Sequence, residues 1–377
     1  MNYLLKLFDA PLLEFSAEAE KSDPNIQIQW IDEANAYLLP LGFDRTNKGL
    51  ERWLAERTIP KNRAYMQQFL AKCGLNANRP MAIIAASKAL SLNDSYWVTQ
   101  TGSADTFAKT NLYDNRFSQI LAHIVFTGYG SRVKSTFVSS PEFTTNGALP
   151  KCWRRNSGVI SLWKGGTTGA ANTGNEPYSE FYAHQIAQTL GIDAVPYRLS
   201  RWKGQVCSVC DLFTSKEVSF VPAHKLVANG SFEAVRELCH TLGPAFEQAL
   251  GHMAVLDAVT LNTDRHFGNF GVLVNSRTNQ ILGPAPLFDH GNALMPFAYG
   301  NDLDDLQSLG EYAKTLRPRT YDSFVDEARE NLTPQLRKSL RGLFDFTFAK
   351  SRCSNLPDKR LRLLQDYVRG QAALILE

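Results

Sequence analysis

The chain has 377 residues, 44% of them apolar, enough to bury the cores of two lobes. Its 40 Lys and Arg barely exceed its 37 Asp and Glu, a field too weak to call for nucleic acid or a membrane surface as a direct partner. It has no apolar run of about 18 residues or more, so no membrane-spanning helix is expected.

At the start, MNYLLKLFDAPLLEFS has its apolar run broken by Asp9, and no small-residue cleavage site follows. An ordinary first strand or helix is expected there, not a signal peptide. Residues 1–130 read as a largely helical N-terminal segment packed on, or part of, a small lobe. IDEANAYLLPLG (31–42) and the two amphipathic stretches around Pro60 in ERWLAERTIPKNRAYMQQFLAKCG (51–74) carry that reading, with a further helix between 111 and 129. Residues 131–213 change texture and read as a small nucleotide-binding lobe with its hinge. Asn146-Gly147 is a hairpin signal, GVISLWKGG (158–166) a strand, and GNEPYSEFYAHQIAQTLG (174–191) a helix stopped by Gly191. VPYRLSRWKGQVCSVCDLF (195–213) reads as two strands around Lys203-Gly204. Residues 214–377 read as a helical large lobe. It contains FEAVRELCHTLG (232–243), FEQALGHMAVLDAVTLN (246–262), the strand-like GVLVN and APLFD, and three helices beyond Tyr321.

The six cysteines are scattered, which fits a reduced, cytoplasmic protein. The tightest pair, Cys207 and Cys210, has apolar, β-prone flanks and no second pair at zinc spacing, so ordinary buried thiols are expected.

The most informative stretch is LDAVTLNTDRHFGNFGVLV, followed by APLFDHGNAL. It presents Asp264, then Asn269 five residues on, a hydrophobic strand, and Asp289 before His290-Gly291. Singly, these residues read as turn caps or an Asx-turn. Together they are what phosphoryl transfer needs. One aspartate orients the acceptor hydroxyl and takes its proton, while a second carboxylate and an amide oxygen hold Mg²⁺ against nucleotide phosphates. The five-residue offset is the one used by the protein-kinase catalytic loop. Upstream, Lys164 on the predicted strand can reach phosphates as a point charge, with Glu180 or Glu176 as its partner. The turn Thr144, Thr145, Asn146, Gly147 can cover phosphates through hydroxyls and backbone N–H groups, although no GxxxxGK[ST] loop is present.

These motifs resemble the HipA-like kinases, toxin-type bacterial serine/threonine kinases with a distant protein-kinase-like fold. The resemblance rests on LNTDRHFGNFGVLV, PLFDHGNAL, ISLWKGG and YSEFYAHQIAQTLGI, with SLNDSYWV and SPEFTTNGALP as further blocks between about 88 and 295. It implies an α+β, two-lobed protein-kinase-like fold with a mainly helical C-terminal lobe and an added helical N-terminal segment. It makes Asp264 the catalytic aspartate, Asn269 and Asp289 the magnesium ligands, Lys164 the ATP-phosphate lysine and Glu180 its partner. Val206–Phe213 becomes the hinge, with Val209, Cys210 and Asp211 meeting adenine, and Asp257 is a structural support. The toxin members autophosphorylate a serine in a flexible loop. Ser139, Ser140, Thr144 and Thr145 stand in that region here without a clear match. ATP and Mg²⁺ are the expected cofactors. A protein substrate and an antitoxin or regulatory protein are the expected partners. The leading function is a protein serine/threonine kinase. A small-molecule kinase and a nucleotide-binding module without catalysis use the same apparatus.

Overall fold

The computed structural model describes residues 1–131, 140–227 and 230–377. Alternation builds its first sheet. In NYLLKL, Tyr3, Leu5 and Leu7 are buried while their neighbours are not, the period-two pattern of a half-buried strand. This is β1 (Asn2–Leu7). It pairs antiparallel with β2 (Ala10–Ser16), and β2 pairs with β3 (Gln27–Ile31). Three short helices follow, α1 (Asn47–Ala55), α2 (Met66–Lys72) and α3 (Pro80–Ser87). Strand β4 (Tyr96–Gln100) then joins the free side of β1, giving the order β3-β2-β1-β4. Leu5 sits opposite both Leu13 and Val98, and Leu50, Trp53 and Leu54 of α1 and Met81 and Ile84 of α3 close the core.

The expected helical N-terminal segment is therefore corrected. The segment is a sheet with short helices on it, because the first strands follow period two and only residues beyond about 46 follow helical spacing. Residues 31–42 form a 3-10 turn over Glu33–Leu38, capped by Asp32. The helix expected between 111 and 129 is shorter. Helix α4 (Phe107–Thr110) precedes α5 (Gln119–Thr127), which ends on left-handed Gly128.

Strands β5 (Lys151–Asn156) and β6 (Val159–Lys164) come next. The Asn146-Gly147 turn is not a hairpin tip among the described residues. It leads from a 3-10 turn over Pro141–Phe143 into β5, with Gly147 at φ +94°. Arg63 holds this region from inside. It donates to the carboxylate of Glu142 and to the carbonyls of Thr145 and Lys151, and both charged side chains are buried.

By its internal contacts the chain divides into two units. The first is 1–163 with 212–221 and 273–282, and the second is 164–211 with 222–272 and 283–377. In the second, α6 (Glu176–Leu190) turns Tyr182, Ala183, Ile186, Ala187 and Leu190 inward and stops at left-handed Gly191. The β7 (Tyr197–Trp202) and β8 (Gln205–Asp211) hairpin closes on Lys203 and Gly204, both at positive φ. Its two turn residues occupy the conformation that a tight hairpin demands. After β9 (Val218–Pro222) come α7 (Phe232–Leu242) and α8 (Pro244–Thr260). Helix α8 is buried on almost every side from Leu250 to Thr260, as a central helix must be. Strands β10 (Gly271–Asn275) and β11 (Ile281–Pro284) complete a small sheet with β9, in the order β11-β10-β9. Helices α9 (Leu306–Lys314), α10 (Phe324–Glu330), α11 (Pro334–Arg341) and α12 (Asp358–Leu376) pack around the same core, α10 and α12 directly on α8. No helix among the described residues is long and apolar enough to cross a membrane.

Candidate active site

Lys164, Glu180, Asp264, Asn269 and Asp289 all belong to the second unit, and the site can be described within it. Lys164, the last residue of β6, is 4% exposed. Its ammonium donates to Glu180 Oε1 on α6 and to Asp289 Oδ1 at 2.7 Å. Burial alone would pull the proton off this lysine. The Asp289 and Glu180 carboxylates outweigh it and keep Lys164 charged, above its ordinary range. Ser208 of β8 donates to the other Glu180 oxygen, so the carboxylate is fixed from both sides.

Glu176 and Glu180 lie one helical turn apart, and the structure separates their tasks. Glu176 accepts from the backbone N–H of Thr167 at 3.2 Å and from its hydroxyl at 2.5 Å. This holds the glycine-bearing loop after Lys164. A Cβ at Gly166 would fall 2.7 Å from Glu176 Oε2 and from the Gly174 backbone, so the loop approaches the helix closely only because residue 166 is glycine.

Asp289 has φ +60°, a left-handed conformation that aspartate tolerates better than most side chains. Its backbone N–H donates to the Tyr197 hydroxyl at 3.1 Å. Tyr197 faces Cys210 across the hairpin, and burial pushes the Cys210 thiol up to about 12, with Glu180 adding to the effect. That thiol stays protonated and is no nucleophile at neutral pH.

The loop from Asp264 to Asn269 hangs from the end of α8 on one arginine. Arg265 is 1% exposed and donates Nε and Nη2 to the two oxygens of Asp257, each at 2.9 Å. Nη1 donates to the carbonyls of Asn269 at 3.2 Å and Phe288 at 2.6 Å, and Nη2 also meets His290 Nδ1 at 3.1 Å. Burial, with the charge of Arg265, holds His290 well below its usual range, so it meets Arg265 as a neutral acceptor. Arg265 thus ties the loop bearing Asp264 and Asn269 to the segment bearing Asp289. Asn262 reinforces the joint, donating Nδ2 to Asp257 and accepting the backbone N–H of Asp264.

Within the loop, Asn269 Nδ2 donates to the carbonyl of Asp264 at 3.2 Å, which turns its amide oxygen the other way as an acceptor. The Asp264 side chain is 38% exposed and accepts from Arg319. The amide oxygen of Asn269 and the partly exposed carboxylate of Asp289 are hard donors of the kind suited to Mg²⁺, which takes few protein ligands and fills its shell with phosphate oxygens and water. No group of three or more His, Cys, Asp or Glu side chains that could hold a metal occurs among the described residues.

The other expected positions make none of the hydrogen bonds described above for Lys164, Glu180, Asp264, Asn269 and Asp289. Thr144, Thr145, Asn146 and Gly147 belong to the first unit. The Thr144 hydroxyl donates to the Leu90 carbonyl at 2.7 Å and that of Thr145 to the Pro141 carbonyl at 2.7 Å, so both protons are already committed. Ser140 caps the 3-10 turn, and Ser139 lies outside the described residues. Val209, Cys210 and Asp211 lie in β8, with Asp211 paired to Arg198 at 3.0 Å on the exposed side. Ser208, Tyr197 and Arg319 join the site without any sequence signal, since each is distant along the chain from the group it touches.

Cys207 and Cys210 are three residues apart on one strand and so point to opposite faces, which no shared metal can bridge. The purified protein is expected to carry no zinc on this pair. Replacing both by serine should cost about 1–3 kcal/mol through buried hydroxyls without equivalent partners. Metal analysis of both proteins checks this, and stoichiometric zinc that disappears in the double variant would overturn it.

The fold defines a kinase-like α+β protein. Neither a family model nor a curated protein matches the chain. Among solved structures, HipA of Shewanella oneidensis MR-1, determined with HipB and its operator DNA, matches with a TM-score of 0.57. The match covers 99% of this chain and 96% of that one at 12% sequence identity. CtkA, a proinflammatory kinase of Helicobacter pylori, matches with a TM-score of 0.46 over 60% of this chain and 92% of that one, at 17% identity. The chain thus has the HipA-like fold that the motifs imply, at low identity.

Proposed function

We propose that this chain is an ATP- and magnesium-dependent phosphotransferase acting on serine or threonine hydroxyls of a protein. The observation that carries the reading is the buried Lys164, held charged between Glu180 and Asp289 while Arg265 anchors the Asp264–Asn269 loop to the same segment. In this reading Lys164 binds nucleotide phosphates, and Glu180 with Ser208 keeps its ammonium aimed. Asp264 receives the acceptor hydroxyl and takes its proton. Asn269 and Asp289 would hold the metal ion, whose chemistry is to neutralise charge on the phosphate oxygens. Backbone groups of Val209, Cys210 and Asp211 are proposed to meet adenine. The six cysteines, described as free thiols, fit a reducing compartment such as the cytoplasm. A regulatory protein partner belongs to the proposal, by analogy with the HipA solved together with HipB.

An acceptor screen with labelled ATP tests the reading. Label on protein supports it, label only on metabolites indicates a small-molecule kinase, and nucleotide binding without transfer sinks it. Binding of ATP should weaken by about tenfold or more without Mg²⁺, because a carboxylate and an amide oxygen would then face the phosphates with no cation between them. Calorimetry with and without the ion measures this, and equal affinities would remove Asn269 and Asp289 from the metal role.

A further inference from the structure

The segment between α9 and α10, with the sequence LRPRTYD, lies against the Asp264 loop at two points. Arg319 pairs with Asp264 Oδ1, and the Thr320 hydroxyl donates to the Arg265 carbonyl. Tyr321 anchors the segment further, its ring 5.5 Å from Phe232 and 6.2 Å from Phe324. Pro318, just before Arg319, limits the backbone. The backbone is thus fixed beside the loop while the Arg319 side chain remains 58% exposed. It can swing without moving the chain.

Among the described residues, the other basic groups at the loop are engaged otherwise. Arg265 spends its guanidinium on Asp257, His290 and the carbonyls of Asn269 and Phe288. His266 Nδ1 accepts from the Gly268 N–H at 3.0 Å, and burial lowers its pKa towards the neutral form. Lys164 lies between Glu180 and Asp289 and does not touch Asp264, and in the reading above its charge serves the bound nucleotide's phosphates. Among the described residues, Arg319 is the exposed cation in direct contact with Asp264. Its ion pair also occupies an oxygen that an acceptor hydroxyl would use. An exposed pair of this kind is worth only about 0–1 kcal/mol, so it yields easily to a competing ligand.

We propose that Arg319 is a catalytic residue of this site, which gives Asp264 up to the acceptor hydroxyl and turns its charge on the transferring phosphoryl group. In that step the acceptor oxygen bonds to the γ-phosphorus, the bond from that phosphorus to the β–γ bridging oxygen breaks, the hydroxyl proton passes to Asp264, and ADP leaves. Arg319 forms no covalent bond and supplies charge alone. The proposal rests on the phosphotransferase reading above, and its test separates the two.

Wild type, Arg319→Ala and Arg319→Lys are compared in single-turnover transfer at saturating Mg·ATP, in titrations with Mg·ATP, and in titrations with Mg·ADP plus tetrafluoroaluminate, a planar mimic of the transferring group. Loss of one donor to transition-state charge typically slows the step by about 10²–10³-fold, the slowing expected of Arg319→Ala. Mg·ATP affinity and the unfolding midpoint should hold, affinity for the planar mimic should fall with the rate, and Arg319→Lys should recover part of both. An alanine variant with unchanged or faster transfer and unchanged affinity for the mimic overturns the proposal, leaving Arg319 a surface pair or a plug. Should wild type transfer no phosphoryl group at all, the phosphotransferase reading fails. The mimic titration then decides on Arg319 separately: equal affinity in wild type and Arg319→Ala overturns its role, and weaker binding to the variant supports it.

Discussion

Replacing Asp264 by asparagine is expected to slow phosphoryl transfer by about 10²–10⁴-fold, the usual contribution of a positioned general base. That corresponds to roughly 3–5.5 kcal/mol of barrier. The amide keeps the shape and can still meet the acceptor hydroxyl, but it cannot take the proton. The fold should survive, because the residue is held through its backbone. Its N–H donates to Asn262, and its carbonyl accepts from the His266 N–H at 2.9 Å and from Asn269 Nδ2. The side chain contributes the exposed pair with Arg319. Asp289→Asn should differ in kind. It removes a negative charge from Lys164 and weakens a metal ligand, so Mg·ATP binding should fall together with transfer. Single-turnover transfer beside an ATP titration of each variant checks the division of roles. Near-normal transfer by D264N with an intact fold would remove Asp264 from the base role.

Asp257→Ala is expected to be the most destabilising single change near the site, at about 3–5 kcal/mol, the cost of leaving one charge of a buried pair without its partner. Asp257 is fully buried and Arg265 nearly so, and two guanidinium nitrogens would lose their carboxylate at once. Transfer should fall as well, because Arg265 fixes the carbonyls of Asn269 and Phe288 and with them the positions of the neighbouring functional groups. Denaturant unfolding measures the first effect. A wild-type midpoint in D257A would mean that carbonyl contacts alone suffice to hold Arg265. The double variant Asp257→Ala with Arg265→Met should regain part of the stability, since it leaves no unpaired charge in the interior.

Several elements are legible from local rules. Lys203-Gly204 marks a hairpin because Gly204 takes positive φ at no steric cost, and strands β7 and β8 flank it. Gly191 ends α6 for the same conformational reason, and the regions of α7, α8 and the last three helices follow from apolar spacing. The N-terminal strands show where such reading strays. Tyr3, Leu5, Leu7, Leu13 and Phe15 alternate as strand residues do, a short signal beside the helical spacing of the stretch that follows.

By itself, the sequence determined the order of the polar groups, Lys164, Glu180, Asp264, Asn269 and Asp289, and the type of most elements that carry them, because these depend on spacing along the chain. Only the tertiary structure decided between Glu180 and Glu176, since both lie on one face of α6 and the distinction comes from Thr167 claiming Glu176. It also brought Ser208 to Glu180 from 28 residues away, Tyr197 to Asp289 from 92 and Arg319 to Asp264 from 55. No helical or strand period spans such separations. They are set by how α6, α8 and the β7–β8 hairpin bury their apolar faces, and the polar groups meet where that packing leaves them.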